Sequence, residues 1–318
     1  MTIATRSCPL CGELEVRLHF DNITLPGSEV RFQVVTCQSC GLTYTQPLPD
    51  EDRIAQLYTD IYYIGGHEQH AWVGALRSLF HRAVLRWRQS ILKGKTGRIL
   101  DVGCGSGDFL LVMKKAGWEA CGLDPSPSAC ALAAKKGLTV HNSKLADFQV
   151  PDRSFDVITM WHVLEHLPEP ERDLCVARRV LRDDGLLVVE VPNFTCATAR
   201  LSGASWYGLD VPRHLQHFTA QTLELLLNEA GFSVLRRYNF HLWDMDIAFY
   251  SFMRRLGVLD RLGIHLFSVD YAEAPVLSRL SFVAIGLPVA LFSVACSLLT
   301  MLATGNGETV TMVCQKSK

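Results

Sequence analysis

The chain has almost no net charge: 31 Lys and Arg stand against 32 Asp and Glu over 318 residues. A formal charge of −1 gives no global attraction to a polyanion, so no nucleic-acid partner is expected. Internal repeats and low-complexity tracts are missing, which argues against a solenoid or a disordered spacer. An apolar leader is missing too: Met1 to Ser7 is polar and is followed at once by cysteine, so no secretory signal is expected. The eleven cysteines are odd in number, and seven of them are scattered singly. That pattern argues against a disulfide framework and for a reducing, cytoplasmic compartment. Acidic residues are absent from 69–100, and charge of either sign is absent from 280–307.

What is present has an order. From residue 98 to 191, short apolar runs alternate with helical stretches, the signature of βαβ units on a parallel sheet. The spacing predicts strands at Arg98–Val102, Glu119–Asp124, Thr139–His141, Phe155–Met160 and Gly185–Val191. Helices are expected to begin near Gly107, Ser126 and Pro168. A loop-rich stretch (192–218) precedes a helix over Thr222–Ala230 and a strand over Phe232–Asn239. An apolar helical region (240–306) precedes a last strand, Glu308–Gln315.

The most informative segment is Ile99-Leu-Asp-Val-Gly-Cys-Gly-Ser-Gly-Asp-Phe109, a strand entering a glycine-rich turn that opens a helix. Asp124 ends the second strand, where a carboxylate can accept hydrogen bonds from both hydroxyls of a ribose. A dinucleotide fingerprint needs a third glycine at position 108, which is Asp108. Asp101 also precedes the first glycine by two residues; a pyrophosphate is repelled by such a carboxylate, whereas an ammonium is attracted.

Asp101-x-Gly103-x-Gly105-x-Gly107 resembles motif I of class I S-adenosylmethionine-dependent methyltransferases. Phe155–Ile158 with Trp161-His162-Val-Leu-Glu165-His166-Leu167 resembles the fourth strand and following loop of that family, its quinone-methyltransferase-like branch included. Asp184–Val191 resembles its fifth strand. The resemblance covers roughly 95–240 and the final strand. It implies a Rossmann-like α/β sheet of seven strands with helices on both faces, and S-adenosyl-L-methionine as methyl donor. It places Asp101, Gly103, Cys104, Gly105 and Gly107 around the amino-acid end of that cofactor, Cys104 as a small residue of the loop. Asp124 and Pro125 fall at the ribose, Leu145 and Ala146 at the adenine, and Trp161 and His162 on the methionine side.

Cys8-x-x-Cys11 and Cys37-x-x-Cys40 are each followed by glycine and are separated by 25 residues. Four thiolates suit tetrahedral Zn2+ and leave no open coordination position, so a structural site is expected. A redox pair is the alternative, disfavoured because two pairs match. The segment is similar to N-terminal zinc-binding modules fused to methyltransferases of sugar and polysaccharide biosynthesis. The expected organisation is a zinc ribbon over 1–50, a helical linker or lid over 51–97, and a catalytic domain over 98–318 with an apolar insertion at 240–306.

Methyl transfer to oxygen or carbon requires removal of the acceptor's proton, a task suited to histidine at neutral pH. Glu165-His166 follows the fourth strand at the carboxyl end of the sheet. Arg213, His214 and His217 lie in the loop after the fifth strand. His166 and His214 are the favoured bases; Arg213 could grip an anionic substrate group. The competing readings are a structural hydrogen bond for Glu165-His166 and helix capping for the second cluster, with Thr219 as N-cap.

Twelve Leu, Ile, Val and Phe residues lie between Leu280 and Ala303. At roughly −0.4 kcal/mol each, their transfer into lipid is favourable by about −5 kcal/mol. A full crossing would strand the last strand across the membrane, so a helical hairpin or a hydrophobic lid is expected. Trp72, Leu76, Leu79, Phe80, Ala83, Val84 and Trp87 mark one face of a basic amphipathic helix, which suits an anionic membrane surface at the cytoplasmic face. The expected acceptor is a sugar, a lipid-linked glycan precursor or another lipid-like small molecule. The alternatives are a quinone or lipid O-methyltransferase, an RNA methyltransferase docking through the ribbon, and a non-catalytic scaffold.

Overall fold

The computed structural model describes residues 6–24, 30–50, 71–239, 245–257 and 276–317. The expected helix over 51–70, the side chains of Trp72 and Leu76, and residues 258–275 of the apolar insertion lie outside the described residues.

The chain opens with strands β1 (Val16–Thr24), β2 (Arg31–Cys37) and β3 (Thr43–Gln46), then helix α1 (Ala71–Ile91). Strand β4 (Arg98–Val102), helix α2 (Asp108–Lys115), β5 (Glu119–Asp124), α3 (Pro127–Lys135) and β6 (Thr139–Asn142) follow. Next come β7 (Phe155–Trp161), α4 (Pro170–Val180), β8 (Leu181–Pro192), α5 (Ala197–Ser202) and the short β9 (Gln216–His217). The chain continues through α6 (Ala220–Glu229), β10 (Phe232–Tyr238), α7 (Met245–Arg255), α8 (Val276–Thr304) and β11 (Thr309–Lys316).

Seven strands form one sheet in the order β10-β11-β8-β7-β4-β5-β6. The strands from β8 to β6 run parallel, and β11 inserts antiparallel between β8 and β10. Central strands buried on both faces read as apolar runs, as Phe155–Trp161 and Leu186–Val191 do. Strand β8 begins four residues before the expected Gly185, because Leu181 already pairs with Phe155.

The cysteine-rich segment is not separate from this body. A second sheet has the order β1-β2-β3-β9, so a strand from the loop after β8 completes the N-terminal sheet. Cys8, Leu10, Val35, Leu42 and Tyr44 share one core with Leu100, Leu164 and Phe218.

Two expectations about the apolar elements change. Residues 276–304 form one continuous helix through Pro288 rather than a hairpin. The proline sits on the exposed side of the helix, where its ring meets solvent rather than a packed neighbour. In α1 the inward face is shifted: Leu85 and Ile91 are buried against Phe109, Trp161 and Val188, while Leu79 and Phe80 are exposed. Among the described residues no helix is long and apolar enough to cross a membrane.

Candidate functional site

The carboxyl ends of β4, β5 and β7 converge on the glycine-rich turn. Asp101 is 3% exposed and accepts a 2.6 Å hydrogen bond from Thr159 Oγ1, its neighbour across the ladder. Burial pushes its carboxyl up to about 7, against the opposing pull of Thr159 and Arg88. Gly103 has φ 67°, and a Cβ there would lie 2.5 Å from Val163 Cγ2, so the chain can pass only without a side chain. Gly105 borders open space, and Gly107 caps α2. Cys104 is buried beneath the turn.

Asp124 also holds the turn together. Its carboxylate accepts from Gly105 N and Ser126 N, both at 2.9 Å, and Asn142 Nδ2 donates to its carbonyl oxygen at 3.0 Å. Pro125 leads to Ser126, the N-cap of α3. Leu145 is buried in a single helical turn after β6, and Ala146 is partly buried beside it.

Trp161 closes the opposite side. Phe109 meets its ring at 5.3 Å, and the Arg88 guanidinium lies over it at 4.5 Å. Arg88 comes from α1 and also pairs with Glu190 on β8. His162 takes φ 56°, in the left-handed region that few non-glycine residues adopt. Its ring lies between Glu165 (3.3 Å) and Glu190 (3.4 Å). Burial disfavours the imidazolium, but the two carboxylates outweigh it and push the pKa up to about 10. His162 is therefore a fixed cation. Arg88, Thr159 and Glu190 were not singled out in the sequence; a charged residue at position 190, inside the apolar run of β8, was the one available signal.

Next to this cluster, His166 and His214 stack edge to face with ring centroids 4.6 Å apart. His166 Nδ1 lies 3.0 Å from Arg213 O, and His214 Nδ1 lies 2.8 Å from Gly208 O. A carbonyl only accepts, so each Nδ1 carries the proton and each basic lone pair falls on Nε2. Burial and the neighbouring His214 lower the His166 pKa to about 4, which keeps that ring neutral. Glu165 is 1% exposed, and His162 outweighs its burial to keep it ionised. Glu165, His166 and His214 each bring a potential ligand atom within 4.8 Å of the others. Arg213 is paired with Asp210 at 2.6 Å. His217 lies in β9, with its Nε2 3.1 Å from Thr45 Oγ1, and not in the His166–His214 stack.

Trp161 Nε1, Arg88 Nε and Glu165 Oε2 are buried without a partner among the described residues. Such orphaned groups beside an open glycine turn suit a polar ligand. The buried Asp101 fits the ammonium of S-adenosylmethionine, and Asp124 fits its ribose.

The four cysteines of the N-terminal segment come together. Their sulfurs lie within 4.8 Å of one another, with Cys8–Cys40 and Cys11–Cys37 both at 3.5 Å. Zn–S bonds of about 2.3 Å imply S···S edges of about 3.8 Å in a tetrahedron, so the set fits zinc closely. Burial pushes the Cys8 and Cys40 thiols up, whereas the N–H groups of Cys40 and Ser39 outweigh burial at Cys37 and hold it at about 7. A divalent cation at the centre would favour four thiolates.

Sheet order, glycine turn and paired aspartates define an S-adenosylmethionine-dependent methyltransferase of class I. A family model described as a methyltransferase domain matches residues 72–237, and the chain belongs to that family. It is 30% identical over 132 residues to a ubiquinone biosynthesis O-methyltransferase of Xanthomonas oryzae pv. oryzae, covering 38% of this chain and 54% of that protein. It is 28% identical over 191 residues to a probable S-adenosylmethionine-dependent methyltransferase of Mycolicibacterium smegmatis, covering 59% and 66%. The chain thus spans about half the length of several curated relatives it matches. A methyltransferase structure from Archaeoglobus fulgidus superposes with TM-score 0.50 at 22% identity, covering 76% of this chain and 94% of that one. The 4+2 cyclase SpnF superposes with TM-score 0.51 at 20% identity, covering 85% and 98%. At such identities these two structures speak for the fold alone.

Proposed function

We propose that the protein methylates an oxygen or carbon nucleophile of a lipid-like small molecule, with His166 and His214 receiving the acceptor's proton. The observation that carries this reading is the stacked pair itself. Both rings hold Nδ1–H against a backbone carbonyl, and both place the basic lone pair on Nε2. S-adenosylmethionine, when bound, supplies an electrophilic methyl group on its sulfonium. Asp101 would hold its ammonium and Asp124 its ribose, and Leu145 and Ala146 would flank its adenine. The protein's contribution is position and proton acceptance. His162, charged and clamped by two carboxylates, orients the loop and is not a base.

Lipid-linked glycan precursors and sugars are the first acceptor class to test, and quinone-type lipids the second. The second class is favoured by the similarity to ubiquinone biosynthesis O-methyltransferases. Labelled methyl transfer from S-adenosylmethionine to a polyprenyl-linked sugar and to a hydroxylated quinone-type lipid separates the two. Product from neither, with cofactor bound, would count against both classes.

Helix α8 supports a workplace at an anionic membrane surface, reached from the cytoplasm. Ile285, Leu291, Phe292, Leu299 and Leu302 are exposed by 40–77%, all on an outward stripe without charge. Two of its serines point the other way: Ser293 and Ser297 are buried, Ser297 bonding Glu308. Among the described residues, α5 and α7 beside it carry the exposed charges Arg200, Arg254 and Arg255. An exposed apolar stripe on a helix packed beside arginine-bearing helices suits an acidic bilayer interface. Co-sedimentation with phosphatidylglycerol vesicles, but not with phosphatidylcholine vesicles, is the expected result; indifference to both would refute it.

A further inference from the structure

The four-cysteine module is joined to the acceptor loop by more than sequence. Strand β3 pairs with β9, Thr43 opposite His217 and Tyr44 opposite Gln216. Thr45 N donates to Leu215 O at 3.0 Å, and Thr45 Oγ1 donates to His214 O at 2.9 Å. The same hydroxyl lies 3.1 Å from His217 Nε2. Its single proton is already given to His214 O, so His217 must be the donor, and His217 Nδ1 is buried without a partner among the described residues. Arg6 donates to Leu215 O at 3.3 Å and lies over the Tyr44 ring, whose hydroxyl donates back to Arg6 O.

The other side of this loop is the Glu165–His166 turn. Leu215 N donates to Glu165 O at 2.7 Å, and His166 Nδ1 donates to Arg213 O at 3.0 Å. Residues 213–215 are thus strung between the cysteine module and the proposed base. Both anchors on the module side lie close to the metal set. Arg6 is two residues before Cys8, and β3 follows Cys40 by three. Within the module, Cys8 meets Cys40 and Cys11 meets Cys37 without a disulfide. A metal held by all four sulfurs would add a direct link between the two knuckles to the hydrogen bonds from Gln38 N to Glu15 O and from Tyr44 Oη to Arg6 O.

We propose that the metal-bound cysteine module is a brace for the acceptor loop, holding His214 against His166, with Thr45 as the positioning residue that passes the constraint on. This rests on the reading of His166 and His214 as the acceptor-side pair. The brace's hydrogen bonds fall on the acceptor side: those described between the module and this region end on residues 214, 215 and 217. The glycine turn and Asp124 are held by their own contacts.

The test uses the full chain, zinc-loaded or stripped with a chelator, and the variants Thr45→Val and Thr45→Ser. Three quantities are read: amide hydrogen exchange across 213–217, the ring signals of labelled His166 and His214, and calorimetric affinity for S-adenosylmethionine. Loss of the metal, or Thr45→Val, should speed exchange at Leu215 on the order of 10-fold and shift both ring signals. Cofactor affinity should stay within about twofold, and Thr45→Ser should restore protection because it keeps the hydroxyl. Unchanged exchange and ring signals in the metal-free chain would overturn the proposal. So would cofactor affinity lost in step with loop protection, since the module would then support the whole fold. None of these readouts needs an acceptor. A wrong assignment of His166 and His214 would instead appear as undiminished turnover in their alanine variants.

Discussion

His162 and His166 are four residues apart and carry opposite protonation. His162, between Glu165 and Glu190, is held charged; His166, buried beside His214, is held neutral. The split agrees with the proposed roles, in which His166, with its lone pair on Nε2, accepts the proton and His162, clamped between two carboxylates, does not. His166→Ala and His214→Ala should each lower turnover by roughly 10²–10⁴-fold, while calorimetry shows cofactor affinity unchanged. Equal losses of affinity and turnover would place these rings at the cofactor instead. Asp101 gives a second prediction. Its carboxyl is raised to about 7 by burial, and pairing with an ammonium favours the ionised form. Cofactor binding should therefore release a proton when the pH is below that value. Affinity should fall by up to ~10-fold per pH unit below about 7, a slope that Asp101→Asn removes. A flat pH dependence in the native chain would contradict this environment for Asp101.

At the scale of elements, the segments legible in the sequence were those whose partners are close along the chain. The turn from Asp101 to Gly107 and the strand ending at Asp124 were readable because a ladder, a tight turn and a helix start leave local marks. Thr219 as a helix cap was readable for the same reason. It accepts from Thr222 N while Thr222 Oγ1 accepts from Thr219 N. Thr219→Ala should cost about 1 kcal/mol in chemical denaturation, with Thr219→Ser near native; no change would mean the helix start is held by packing alone. Arg88, Glu190 and Thr45 were not readable, because their partners lie tens to more than a hundred residues away. The inverted pattern of α8 was half readable. Its apolar length was plain, but which side faced out depended on Glu308 drawing Ser297 inward. Leu299→Glu with Leu302→Glu should abolish binding to phosphatidylglycerol vesicles without changing cofactor affinity. Retained vesicle binding would move the membrane-facing surface elsewhere.

For the whole molecule, two sheets share one body. The parallel sheet carries the glycine turn, and in the proposed reading the four-stranded sheet, completed by β9, supports the acceptor end. That division explains how a small cysteine module can matter to a site built from another part of the chain. It also explains why a domain boundary near residue 50 reads clearly in the sequence and yet is crossed by β3–β9 pairing. Metal analysis should find one zinc per chain bound by Cys8, Cys11, Cys37 and Cys40, with Cys11→Ser reducing it. A metal-free native protein would contradict the tetrahedral assignment. Calorimetric titration of S-adenosylmethionine into the native chain and into Asp124→Ala tests the central claim most directly. Micromolar binding that weakens by at least an order of magnitude in the variant is expected, because Asp124 holds Gly105 and, in the proposed site, would hold the ribose. Equal affinity in the two, or no binding to the folded, zinc-loaded native chain, would contradict it.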